Sequence, residues 1–187
     1  MRLIVGISGA SGVIMGYHFL KVLRQFPDVE IHLVYTEGAK KNFELETFVD
    51  TTELEVLADE VHDFRNMAAS ISSGSFVTDG MVIIPCSMKT VSGIANGYAD
   101  NLLLRAADVC LKEGRKVVLV PREIPLNRIH LKNMKECADC GCVLIPPMLT
   151  FYNGSHSLEM QIDHIIGKIL RQFGLNYQKF IAWTGTK

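Results

Sequence analysis

No run of apolar residues in this sequence is long enough to cross a bilayer. The longest, "MVIIPC" and "KVVLVP", have the length of strands, whereas a spanning helix needs about 20 residues. Charge of one sign is not in excess either. Nineteen Lys and Arg face 20 Asp and Glu, a net charge of −1. No global basic field therefore points to nucleic acid or to an anionic membrane. A signal-peptide pattern is missing, because "MRLIV" runs directly into a glycine turn. The expectation is a cytoplasmic protein with neither a membrane nor a nucleic-acid partner. Cysteine is sparse and odd in number, at five. Cys137, Cys140 and Cys142 sit together in "CADCGC", but the C-x-x-C step lacks the second pair that a structural zinc site wants. Buried, reduced thiols and no metal are expected there, and Cys86 and Cys110 are expected in the core. An aspartate-rich diphosphate motif is also missing.

What is present is a core. Apolar residues make up 48% of 187 positions and charged residues 21%, which excludes a disordered chain and suffices for one domain. Strand and helix patterns alternate. Strands are expected at 2–7, 29–35, 80–85, 116–121 and 142–146. Helices are expected at 11–26, 37–45, 52–60, 87–112 with a break near Gly97, 128–140 and 157–173. The strands are nearly continuous apolar runs, as parallel strands covered on both faces should be. The expected fold is α/β, a three-layer α/β/α Rossmann-like (flavodoxin-like) sandwich on a parallel sheet, with residues 1–187 as a single domain. Ligands of such sheets bind beyond the carboxyl ends of the strands.

Five strand ends are therefore candidates. The first is "SGASG", where glycines admit a ligand close to the backbone and a helix start offers N–H groups to an anion. Ser8 stands where a G-x-G-x-x-G fingerprint has its middle glycine, so the dinucleotide signal is weak. The second is "VYTEG", in which Thr36 can cap a helix or face a phosphate and Glu37 can hold a ribose hydroxyl. The third is "PCSMKT", with Ser87 and Thr90 around Lys89. The fourth is "VPREIPL", where Arg122 can clamp a phosphate and Glu123 can act as acid or base. The fifth is "PPMLTFYNGSHS", which carries Tyr152. Lys168, on the following helix, falls outside the apolar stripe. Arg105 and Asp108 are three apart, so an intrahelical pair explains them. Lys112 complements its helix dipole. Together these turns and cations suggest one or two phosphorylated small ligands.

"GISGASG", "AASISSGSF", "TDGMVIIPCSMKT", "NLLLRAADVCLKEGRKVVLVPREIPLNRIHLKNM" and "PPMLTFYN" resemble the UbiX-type flavin prenyltransferases, once called aromatic or phenylacrylic acid decarboxylases. The resemblance covers residues 1 to about 183. It implies a metal-independent enzyme that joins the dimethylallyl group of dimethylallyl phosphate to N5 and C6 of reduced FMN. The product would serve a UbiD-type aromatic acid decarboxylase, and the enzyme would be a homododecamer with sites between subunits. The resemblance implies cofactor-binding roles for Gly9, Ala10, Ser11, Thr36, Ser87, Met88, Lys89, Thr90, Arg105 and Arg122. Lys112, Arg122, Tyr152 and Lys168 would bind substrate, Lys112 from a neighbouring subunit. Ser11, Glu46, Glu123 and Lys112 would be catalytic. Two positions depart from the family: Asn66 stands at the place of a Trp, and Lys168 at that of an Arg. Two alternatives remain open. One is an FMN-binding accessory subunit of an aromatic acid decarboxylase. The other is a phosphopantothenoylcysteine-decarboxylase-like flavoenzyme. The latter needs an early catalytic His, and His18 and His32 sit in positions that read as structural.

Overall fold

The computed structural model describes residues 1–185; Thr186 and Lys187, at the end of the expected domain, lie outside the described residues. Six parallel strands form one sheet: β1 (Arg2–Ile7), β2 (Glu30–Tyr35), β3 (Glu60–His62), β4 (Gly80–Cys86), β5 (Lys116–Pro121) and β6 (Val143–Leu144). Their order is β3-β2-β1-β4-β5-β6. The chain thus winds outward from β1 in one direction and from β4 in the other. The switch between β1 and β4 opens a crevice at their carboxyl ends. This is the expected Rossmann-like α/β sandwich.

Side-chain alternation along the strands builds two cores. Leu3, Val5 and Ile7 of β1, Val82 and Ile84 of β4, and Val118 and Val120 of β5 face one layer. That layer is made by helices α1 (Ile14–Leu23) and α7 (Leu158–Gln172). Ile4, Met81, Ile83, Val117 and Leu119 face the other. It is covered by α4 (Met88–Ala95), α5 (Leu102–Lys112) and α6 (Arg128–Asp139). Burial on both faces explains why the strands read as unbroken apolar runs.

Helices α2 (Glu37–Glu46) and α3 (Thr51–Glu55) connect β2 to β3. The expected helix over 52–60 is shorter than its pattern. Asp50 and Glu53 start it with a capping box, but it ends at Glu55 and the chain turns into β3. That strand has no apolar run to announce it; it exists because His32, Leu33 and Val34 pair with Glu60, Val61 and His62. The expected break in 87–112 is real. Gly97 takes a φ of +62°, and Asn101 caps α5 by accepting from the Leu104 N–H. The last strand is also shorter than the 142–146 expected. Ile145 still donates to Leu119 O at 2.8 Å, but Pro146 and Pro147 carry no N–H to continue the ladder. Cys86, Cys110, Cys137 and Cys142 are buried thiols as expected, whereas Cys140 is exposed. No described helix is long and apolar enough to cross a membrane.

Candidate functional site

The turns after β1 and β4 are held together by one hydroxyl. Ser8 is 1% exposed. Its Oγ donates to Pro85 O at 3.0 Å and accepts from the Ser87 N–H at 2.7 Å. The residue that spoils the dinucleotide fingerprint is therefore spent inside the protein. It ties the two walls of the crevice instead of facing a ligand.

The turns after β1 and β2 touch through glycine. A Cβ added to Gly9 would lie 2.9 Å from Gly38 Cα, and one added to Gly38 would lie 3.2 Å from Gly9 Cα. No other residue type permits backbones to come this close. Thr36 caps α2, its Oγ1 accepting from the Ala39 N–H at 3.2 Å. Its own hydroxyl proton stays free to donate. Ser87 caps α4 in the same way, accepting from Thr90 N–H at 3.2 Å. The Met88 and Lys89 N–H groups, in the first turn of α4, have no helical partner. Glycine-lined backbone, capped helix starts and free N–H groups fit the phosphate and ring edge of a bound flavin nucleotide.

Glu46, at the other end of α2, reaches back to this cradle. Its Oε2 accepts from the Gly12 N–H at 2.7 Å, next to Ser11. Gly12 itself has a φ of +91°, a left-handed value that a side chain would strain.

Across the crevice, Arg122 and Glu123 follow Pro121 directly. Both are exposed. With Met88, Pro121, Met134, Pro146 and Met148 they line a groove of about 500 Å³. Among the described residues neither forms an ion pair; Glu123 Oε1 accepts only from the Ile124 N–H, at 3.0 Å. The groove thus has an apolar floor and an unpaired cation and carboxylate at its rim.

Tyr152 and Lys168 are neighbours of His164. Tyr152 Oη lies 3.4 Å from His164 Nε2. Burial and the Lys168 ammonium both push the His164 imidazole below its ordinary pKa. Lys168 Nζ sits 5.5 Å from the Phe180 ring centroid. No described hydrogen bond or ion pair joins this trio to Arg122 or Glu123.

Two further candidates are held by partners within their own chain. Arg105 donates to Ser72 O at 3.1 Å and to Asp108 at 2.7 Å, the intrahelical pair expected from its spacing. Lys112, at the end of α5, pairs with Glu113. It precedes Lys116, where β5 begins, so it belongs to the amino edge of the sheet. Arg122 lies at the carboxyl edge, about 20 Å away by the rise of six strand residues. Within one chain Lys112 cannot reach the crevice.

The sequence missed Gly38, whose "TEG" context reads only as a helix start. It also gave no sign that Ser8 joins two turns of the fold. Asn66 lies in a polar turn, accepting from the Ala68 N–H at 3.1 Å, with no aromatic wall from its own side chain. His18 stacks its edge on Tyr17 at 6.2 Å in α1, and His32 is buried in β2.

A Rossmann-like sheet with three anion-ready turns at its switch point defines a flavoprotein, and the flavoprotein family model matches residues 1–173. The chain is 67% identical to a probable UbiX-like flavin prenyltransferase of Sedimentibacter hydroxybenzoicus, over 100% of this chain and 99% of that protein. The fold matches that of a dodecameric FMN-dependent UbiX-like decarboxylase from Escherichia coli O157:H7 with a TM-score of 0.97. The two are 50% identical, over 99% of this chain and 100% of that one. It matches AnUbiX (PadA1), solved in complex with FMN and dimethylallyl pyrophosphate, with a TM-score of 0.96 and 44% identity. That match covers 100% of this chain and 98% of the other. The chain belongs to the flavoprotein family and, within it, to the UbiX-like flavin prenyltransferases.

Proposed function

We propose that this chain transfers a dimethylallyl group from dimethylallyl phosphate to N5 and C6 of reduced FMN, and that a UbiD-type aromatic acid decarboxylase receives the product. The observation that carries the reading is the Gly9–Gly38 approach beside the Ser87-capped start of α4. It builds a backbone cradle for an FMN phosphate and ring. When bound, the reduced flavin supplies the nucleophilic nitrogen and carbon.

The protein's own residues have separable parts in this reading. Gly9, Ala10, Ser11, Thr36, Ser87, Met88, Lys89, Thr90, Arg105 and Arg122 hold the flavin. Ser11, held beside the Glu46–Gly12 contact, faces the reacting edge. Glu123 exchanges a proton with the flavin or the departing group, a role open to an unpaired carboxylate. Arg122, Lys112, Tyr152 and Lys168 stabilise the phosphate that leaves when the allylic carbon–oxygen bond breaks. Lys168 does so as a point charge, where an arginine would grip with two bonds.

Assembly completes this set. Lys112 must come from a second subunit, because its own crevice lies beyond its reach. A broad apolar surface around the groove supports such contacts: Ile124, Ile129, Met148, Leu149 and Phe151 are each at least 66% exposed in the single chain. A dodecamer fits this surface, as in the Escherichia coli relative. We also propose that residues 1–187 act as one domain, in the cytoplasm.

The test is anaerobic. Purified protein is mixed with reduced FMN and dimethylallyl phosphate, or with the diphosphate in a parallel arm, and the flavin mass is recorded. A prenyl adduct is expected with the monophosphate. FMN-loaded, folded protein that yields no adduct from either donor overturns the reading.

A further inference from the structure

The best-organised group of titratable side chains outside the crevice lies on one face of the β2–β3 edge. In parallel pairing, His32 sits opposite Glu60 and Val34 opposite His62. Glu30, His32, Glu60 and His62 therefore project to the same side. His32 and His62 are 1% and 6% exposed. Their rings stack with centroids 5.2 Å apart and planes 16° apart. His32 Nδ1 is 3.0 Å from His62 Nε2 and 3.3 Å from Glu60 Oε2. His62 Nδ1 is 3.5 Å from Glu60 Oε1.

Charge accounting leaves this cluster one cation short. Glu30 is occupied: it takes Arg2 Nε at 2.9 Å and His32 Nε2 at 2.9 Å. The contact with Glu30 places the proton of His32 on Nε2, which leaves Nδ1 a bare lone pair. That lone pair then faces the Glu60 carboxylate. Glu60 has no Lys or Arg partner among the described residues. With the proton of His62 on Nδ1, facing Glu60 Oε1, its Nε2 lone pair faces that of His32 Nδ1 at 3.0 Å. Two lone pairs and a carboxylate converge with nothing positive between them.

We propose that His32 Nδ1, His62 Nε2 and Glu60 bind a divalent transition-metal ion, with zinc the best match to the donor set. A tetrahedral zinc ion with ligands at about 2.0–2.1 Å needs donor atoms about 3.3 Å apart. The two contacts made by His32 Nδ1, at 3.0 and 3.3 Å, come close to that spacing. Glu30 supplies the outer partner that metal-bound imidazoles nearly always have, a carboxylate on the other ring nitrogen. Glu60 is half exposed, which gives the ion an entry path and leaves a fourth position for water. The ion would pin the short strand β3 to β2. His32 lies four residues before Thr36, about 13 Å along the strand, so the ion is a clamp on the sheet edge and takes no part in prenyl transfer.

The test uses the untagged full-length protein, stripped with EDTA and then titrated with Zn²⁺ or Co²⁺. One ion per chain is expected. Zn²⁺ at about a hundredfold excess over Kd should raise Tm by roughly 5–10 °C, reversibly on adding EDTA. Glu60→Gln, at an exposed position, should abolish the rise yet leave prenyl transfer unchanged; His62→Gln should also abolish it. Co²⁺ on the unmutated protein should give ligand-field absorption without a thiolate charge-transfer band. A charge-transfer band, or binding lost in Cys140→Ser and kept in Glu60→Gln, would assign the ion to the Cys137–Cys142 cluster and overturn the proposal. So would the absence of stoichiometric binding at micromolar metal.

Discussion

Glu46 and Gly12 are 34 residues apart in sequence and joined by a 2.7 Å hydrogen bond, carboxylate to backbone N–H. The contact couples the end of α2 to the turn that carries Ser11. It gives Glu46 a positioning task in addition to any proton-transfer task. Glu46→Ala should weaken FMN binding about tenfold, the worth of one charge-assisted hydrogen bond of ~1.5 kcal/mol. Glu46→Gln keeps an acceptor oxygen and should retain most of the affinity. Flavin fluorescence titration separates the two variants. Equal affinity in all three proteins would remove the positioning role.

Glu123 is expected to behave in the opposite way. It holds no cation and accepts one N–H from its own neighbour, so nothing in the cradle leans on it. Glu123→Gln should bind FMN as the parent does and form adduct about a hundredfold more slowly, the lower range of general acid–base effects. Single-turnover mass spectrometry with pre-bound flavin measures the rate. A collapse of FMN binding would make Glu123 a cradle residue instead.

The Gly9–Gly38 contact predicts a graded pair. At Gly9 a methyl group meets backbone at 2.9 Å, whereas at Gly38 the nearest backbone atom is at 3.2 Å. Backbone cannot swing aside as a side chain can. Gly9→Ala should therefore cost more FMN affinity than Gly38→Ala, with overpacking of ~1–3 kcal/mol as the scale for the first. Isothermal titration of both variants with FMN checks the order. A reversed order would mean that the first turn relaxes more freely than the second.

These contacts mark where the sequence was readable and where it was not. Strands such as "VVLV" and helices such as α7 announce themselves, because burial on two faces or on one stripe leaves a periodic pattern. The crevice could be located because parallel strands point their carboxyl ends one way. β3 was invisible, since "EVH" is three residues long, too short for its alternation to register, and is a strand only through its partner β2. The structural role of Ser8 was hidden for a related reason: its partners, Pro85 and Ser87, lie more than 75 residues away. Long-range pairing of this kind has no local signature. Arg105 and Lys112 were legible as an ion pair and a dipole partner, and both readings describe the single chain correctly.

Two phenols, half-buried Tyr35 and buried Tyr177, predict alkaline sensitivity. Burial and the Glu55 carboxylate push Tyr35 up to about 12, its hydroxyl 2.5 Å from Glu55 Oε1. Burial and Asp163 raise Tyr177 as well, across a 2.6 Å hydrogen bond. A folded pKa above the unfolded one means that the native state holds its protons more tightly. Each tyrosine thus adds stability that is complete below its unfolded pKa near 10 and is lost as pH climbs through the folded value. For Tyr35 the window is pH 10 to about 12. Tyr35→Phe should lower Tm at neutral pH and flatten the decline in this window. Melting curves between pH 8 and 12 test it, and an unchanged slope would mean that other groups govern alkaline unfolding.

Lys112 and Tyr152 supply the sharpest check on shared sites. Lys112 sits at the amino edge of the sheet and Tyr152 in the loop after β6, beyond the carboxyl edge. If both serve one phosphate, they come from different subunits. Lys112→Ala and Tyr152→Phe should each form little adduct as pure assemblies. Co-expressed, they should assemble at random, and about a quarter of the shared sites should then hold both intact side chains. Activity of the mixed assembly should rise to about that fraction of the parent's. Two inactive variants whose mixture stays inactive, in an assembly that native mass spectrometry confirms as mixed, would place both residues on one subunit's site or remove one of them from it.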